Sequence, residues 1–156
     1  VVVTNNGRPH FVYAASLPTM TGGMRLIFGL WRTDGTRVWS SEVRHQSNAA
    51  LMPILRAGDV NGDGRTEIVL AISVTKYDMT RETQVAWPTQ MQAFLAVYDL
   101  DGKRLAQRKA GTSISSLLLM ENADGGADVI AHTGQNIVRF AFDAYAPAPQ
   151  DDGDRE

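Results

Sequence analysis

Apolar residues in this chain come in short β-forming runs separated by Asp, Asn and Gly, and no segment sustains the 3.6-residue spacing of an amphipathic helix. "MRLIFGLWRTDGTRVWS" from Met24 is two such runs joined by Asp34-Gly35. "MQAFLAVYDLDGKRLAQ" from Met91 repeats the arrangement around Asp101-Gly102. Asp-Gly between two β runs predicts a hairpin, because the glycine accepts the positive φ that a tight turn needs. "EIVLAISV" from Glu67 is dense in Ile and Val and reads as a buried strand. "SISSLLLMEN" from Ser113 could be forced into a helix, but its place in the repeat sets it beside "AALMPILRAGDV" from Ala49, and both are predicted as strands.

The repeat is the strongest architectural signal. The two hairpins lie 67 residues apart, from Met24 to Met91. "NGDGRTEIV" from Asn61 returns as "NADGGADVI" from Asn122, 61 residues on, and a weaker copy, "TNNGRPHFV", begins at Thr4. The unit is strand, Asx/Gly-rich loop, strand, loop, strand, Asp-Gly turn, strand. Strands are predicted near 1–3, 10–16, 24–32 and 37–43; near 49–59, 67–73, 91–99 and 103–110; and near 113–120, 128–134 and 135–143. A repeated four-stranded antiparallel unit of this size predicts an all-β fold of β-propeller-type blades over residues 1–143, about two and a half to three of them. Closed propellers take roughly 4–8 blades. The expectation is therefore an open set of sheets whose edges are completed by another protein chain or by further blades. The opening "VVVTNNG" has neither an initiator Met nor a leader pattern and is read as processed, trimmed or excerpted.

Charge narrows the partners. The formal charge of −2 resides in the end of the chain, where Asp151, Asp152, Asp154 and Glu156 outweigh Arg155 in a Pro-rich stretch. Residues 144–156 are predicted to be a disordered or extended tail. The near-neutral remainder has no electrostatic footprint for nucleic acid. No apolar run approaches the roughly 18 residues of a membrane helix. The chain has no cysteine, which removes disulfides, thiolate metal sites and thiol nucleophiles.

The chemistry concentrates in "GDVNGDGRTEIVLAI" from Gly58. Asp59, Asn61 and Asp63 alternate, Gly64 permits a sharp turn, and Glu67 follows. Such a run offers side-chain oxygens from Asp59, Asn61, Asp63 and Glu67 and a backbone carbonyl from Arg65, a donor set suited to the hard Ca²⁺ ion. It is not an EF-hand, because position 12 is Leu70 inside a predicted strand. A metal-free Asp/Asn/Gly turn is the bland alternative. In the third copy Met120 stands at the first ligand position. Asn122, Asp124, Asp128 and the Gly126 carbonyl remain, so that loop is expected to bind weakly or stay empty. The first copy has no carboxylate and is expected to be a plain turn.

"DVNGDGRTEIVLA" resembles the FG-GAP or VCBS repeat of integrin-α-like propellers, with its D-x-[DN]-x-D-G-x-x-[DE] pattern followed by an apolar strand. The resemblance implies that the loop joins the innermost strand of a blade to the second and binds Ca²⁺. Repeat-level similarity covers most of residues 1–143, but only one copy carries the full motif.

No catalytic constellation emerges from His10, His45 and His132. One segment breaks the repeat: "VTKYDMTRETQVAWPTQ" from Val74 is about ten residues longer than the equivalent connection near residue 17. It is read as a long loop with two alternatives: Lys76, Tyr77, Arg81 and Trp87 contact a partner, with Trp87 as anchor, or Trp87 folds back to cap its own blade. The expected function is a non-catalytic, calcium-binding interaction or scaffolding module outside the cytoplasm. The alternative is the non-catalytic part of a larger propeller enzyme, or a glycan-binding lectin.

Overall fold

The computed structural model describes residues 1–20, 23–45, 49–79, 86–134 and 136–142. The 144–156 tail and Arg81 lie outside the described residues. Within them the chain is all-β: β1 (Val2–Asn5), β2 (Arg8–Pro18), β3 (Met24–Arg32), β4 (Arg37–His45), β5 (Ala49–Gly58), β6 (Glu67–Met79), β7 (Ala86–Tyr98), β8 (Arg104–Lys109), β9 (Ser116–Glu121), β10 (Ala127–Thr133) and β11 (Asn136–Phe140). They form three antiparallel sheets, ordered β1-β2-β3-β4, β5-β6-β7-β8 and β11-β10-β9, and none closes into a barrel. Each sheet is a meander of neighbours in sequence, so local turn chemistry sets its order. No helix long and apolar enough to cross a membrane occurs among the described residues.

The turns follow from their residues. Gly35 and Gly102 sit at φ +84° and +88°. Their amides bond back to the carbonyls of Arg32 and Asp99 at 3.0 and 3.1 Å. Both hairpins were legible from Asp-Gly.

The middle sheet, β5–β8, is buried on both faces, which explains why the β6 run shows no polar alternation. Ile68 and Leu70, both fully buried, pack toward the first sheet with Val3, Val12, Leu26, Phe28 and Leu30. Val69 and Ala71 point the other way, onto Leu117, Val129 and Ala131 of the third sheet. Burying each large side chain contributes about 1.5–3 kcal/mol. Polar ties fix the stack. The Trp39 indole donates to the Leu100 carbonyl at 2.8 Å, and its ring meets Phe28 edge-on. Ser16 donates to the Leu51 carbonyl. Ser73 accepts from the Ile114 amide at 2.8 Å and donates to its carbonyl at 3.2 Å.

The predicted long loop from Val74 to Gln90 is corrected. β6 continues to Met79 and β7 begins at Ala86, so most of the segment is ladder. Lys76 pairs with Gln90 and Tyr77 with Pro88, with a register shift between Lys76 and Tyr77. The β-branched and aromatic residues Val74, Thr75 and Tyr77 favour strand. Pro88, which has no N–H to give a ladder, is tolerated beside the irregularity.

Candidate metal-binding loop

Gly58 and Glu67 are ladder partners, so the segment between them leaves and re-enters the sheet at one rung. Each polar side chain caps the backbone ahead of it. Asp59 accepts from the amides of Gly62 and Gly64 at 2.7 Å and from Asn61 at 3.3 Å. Asn61 accepts from the Asp63 amide at 3.1 Å, and Asp63 from the Arg65 amide at 2.8 Å. The Asn61 side-chain amide donates to Asp63 at 3.1 Å. Gly62 and Gly64 take φ of +76° and +78°, which other residues adopt at a cost. These successive Asx turns hold Asp59, Asn61 and Asp63 on one short arc.

Glu67 is different. It is 2% exposed, and its Oε2 accepts one bond, from the Val60 amide at 3.0 Å. Burial pushes its carboxyl up to about 7, and Asp63, Asp59 and Asp99 push in the same direction; only the Val60 bond opposes them. A buried carboxylate thus faces three other acids. Asp99 was not anticipated as part of this group. β6 and β7 are in register through Ile68 and Tyr98, and Asp99 lies one step beyond that pair. The Asp-Gly turn was legible, but the cross-strand neighbour depended on register. Asp63, Glu67 and Asp99 open onto a cleft of about 580 Å³ that is also lined by Thr4, Asn6, Asn61 and Asp101.

The ladder-equivalent positions in β2 and β10 show how the other repeats handle the same problem. All three hold a buried polar residue near the start of the second strand: His10, Glu67 and Asp128. His10 bonds through Nδ1 to the Arg8 carbonyl at 2.9 Å. Asp128, 3% exposed, is met by the Arg139 guanidinium at 2.6 Å. Of the two carboxylates, Asp128 is met by a cation and Glu67 has no ion pair among the described residues.

The loops differ in shape as well. Asn6 and Gly7, at φ +50° and +71°, make a two-residue hairpin turn between Asn5 and Arg8. Asn122 to Gly126 closes on itself, the Asn122 amide donating to the Gly126 carbonyl at 2.9 Å. Asn122 Oδ1 accepts from the amides of Asp124 and Gly126, both at 3.1 Å. The structure therefore commits the Gly126 carbonyl and the Asp128 carboxylate to partners within the chain. The second and third loops also touch. A Cβ on Gly126 would stand 2.8 Å from the Gly62 nitrogen, a backbone clash that glycine avoids.

Among the described residues no three His, Asp or Glu side chains converge as a ready-made metal cluster. What the Asp59–Glu67 loop does supply fits Ca²⁺ chemically: all donors are oxygens, and each carboxylate keeps lone pairs beyond those given to backbone amides. Asp59, Asn61, Asp63 and Glu67, with the Arg65 carbonyl, are the residues that would hold the ion. Of the proposed partner-binding residues, Lys76 and Tyr77 are half-buried in the β6–β7 ladder. Lys76 lines a small cavity of about 240 Å³ with His45, Val74, Gln90, Gln92 and Phe94. The Trp87 backbone pairs with Asp78, and its side chain lies outside the described set. Comparisons with protein-family models, curated proteins and solved structures found no match.

Proposed function

We propose that this chain is a calcium-stabilised interaction module built of β-propeller-type repeats and working outside the cytoplasm, with no catalytic role of its own. The observation that carries the calcium half is Glu67. It is a buried carboxylate surrounded by acids, at a position where the third repeat supplies Arg139 to the equivalent Asp128. An external cation would play for Glu67 the part that Arg139 plays for Asp128. Its ligands would be Asp59, Asn61, Asp63, Glu67 and the Arg65 carbonyl, the spacing that resembles the FG-GAP repeat. Bound Ca²⁺ would supply charge compensation and cross-link the loop; it would supply no chemistry on a substrate. A modest-affinity site of this kind suits compartments where calcium is abundant.

The interaction half rests on the apolar side chains that the two outer sheets leave exposed, Val2, Phe11 and Tyr13 on the first and Leu118, Met120 and Ile137 on the third, which suits docking to another protein chain or to further sheets. The test is a melting curve of the whole chain in Ca²⁺ and in chelator. Ca²⁺ at a hundredfold excess over its dissociation constant should add about 2.7 kcal/mol. Asp63→Ala should remove that gain. A melting curve indifferent to chelator overturns the calcium reading.

A further inference from the structure

We propose that the first two sheets bind a small organic carboxylate with an apolar body at the end remote from the candidate calcium loop. Its seat is the cavity of about 240 Å³ lined by His45, Val74, Lys76, Gln90, Gln92 and Phe94. This goes beyond the calcium reading and does not rest on it. Lys76 lies nine residues along β6 from Glu67, roughly 30 Å at the rise of a strand. The cavity and the acidic cleft thus stand at opposite ends of the same pair of sheets.

The β6–β7 ladder builds most of the cavity. Ile72 pairs with Phe94, Val74 with Gln92 and Lys76 with Gln90. Residues two apart on a strand share a face, so these three rungs lie on one face of the middle sheet and pass from apolar to polar toward its end. Ile72 and Val74 pack on the cluster of Leu26, Phe28, Leu51 and Leu70, which sets that face against the first sheet. Met24 packs on the same cluster, and its ladder partner His45 brings the end of β4 to the cavity.

The polar groups of the β6–β7 wall are donors without acceptors. Lys76 and Gln92 are half-buried. The Thr89 hydroxyl donates to the backbone carbonyl of Lys76, but the ammonium itself has no hydrogen bond or ion pair among the described residues. The side-chain amides of Gln90 and Gln92 make no hydrogen bond there either. No acid is among the described residues that line the cavity, so the acceptor that completes it comes from outside the chain. An ammonium beside two amide NH₂ groups suits a carboxylate, because bonds between ionised partners are roughly twice as strong as neutral ones. Val74 and Phe94 give the body of the ligand an apolar wall. Sites for drug-sized ligands run about 300–1,000 Å³, so this cavity takes a smaller molecule. The remote cleft, by contrast, gathers Asp63, Glu67, Asp99 and Asp101.

The probe is para-fluorophenylacetate, followed by fluorine NMR on the intact chain. It should bind saturably at millimolar concentration or below. The neutral analogue para-fluorophenylacetamide should bind at least about tenfold more weakly, because it brings no charge to Lys76. Lys76→Met keeps the apolar stem and removes the ammonium. It should weaken the acid by at least about tenfold and leave the amide unchanged. Lys76→Arg, which keeps the charge, should hold most of the acid binding. Melting curves of both variants are compared with the parent's; should Lys76→Met melt early, the comparison of acid with amide on the parent decides alone. Asp63→Ala should leave acid binding unchanged, so failure of the calcium reading and failure of this one are told apart. No saturable binding of the acid overturns the inference. So does an acid that binds Lys76→Met as tightly as the parent, or an amide that binds the parent as tightly as the acid does.

Discussion

Replacing Glu67 with Gln should stabilise the calcium-free chain near neutral pH, although it removes a residue of the candidate site. Glu67 is 2% exposed, its carboxyl is raised from 4.5 to about 7, and Asp59, Asp63 and Asp99 add to that rise. A carboxyl that is harder to ionise folded than unfolded makes its ionisation cost stability. Its contribution is intact below about 4.5, declines as the pH climbs to about 7, and is level above that. The full shift corresponds to about 3 kcal/mol. The loop borders an open cleft, and solvent screening reduces this to about 1–2 kcal/mol. Gln keeps an oxygen for the Val60 amide, and its NH₂ can donate to the neighbouring acids. For a chain of this size the gain is roughly 2–8 °C in melting temperature. Thermal melts of parent and Glu67→Gln in chelator, from pH 5 to pH 8, should show a gap that widens to about pH 7 and then holds. In saturating Ca²⁺ the order should reverse, because Gln surrenders the charge that binds the ion. A variant less stable than the parent at pH 8 in chelator would refute the claim that Glu67 is a strained, uncompensated charge.

Gly126→Ala places a methyl 2.8 Å from the Gly62 nitrogen, so one of two backbones must move. It should cost about 1–3 kcal/mol in a urea melt and also blunt the response to Ca²⁺, since Gly62 belongs to the candidate loop. Arg139→Met keeps an apolar stem but leaves Asp128 buried without its cation, and should cost about 1–3 kcal/mol at neutral pH. Trp39→Phe loses the bond to the Leu100 carbonyl and should cost about 1 kcal/mol by the same assay, without changing the calcium response.

What was legible in the sequence was whatever local chemistry decides. Asp34-Gly35 and Asp101-Gly102 specify their own turns, and the offset between them sets the repeat, so three antiparallel sheets and most strand ends follow. The Asp59–Glu67 loop was likewise visible from spacing. Misread was the stretch after Val74. Its extra length over the equivalent connection near residue 17 suggested a loop, whereas pairing across a long hairpin carries β6 to Met79. Asp99 beside Glu67, Arg139 on Asp128 and the Gly62–Gly126 approach were not legible, because each depends on register or on how one sheet lies against the next. Those long-range placements separate the Glu67 loop from the Asp128 loop, whose composition alone is similar.

A calcium-binding isotherm on the intact chain, by titration calorimetry in chelator-stripped buffer at pH 8, tests the central claim most directly. The Glu67 loop should take one Ca²⁺ per chain, lost in Asp63→Ala and unchanged in Asn122→Ala. No heat of binding, or binding that survives Asp63→Ala and disappears with Asn122→Ala, would contradict it.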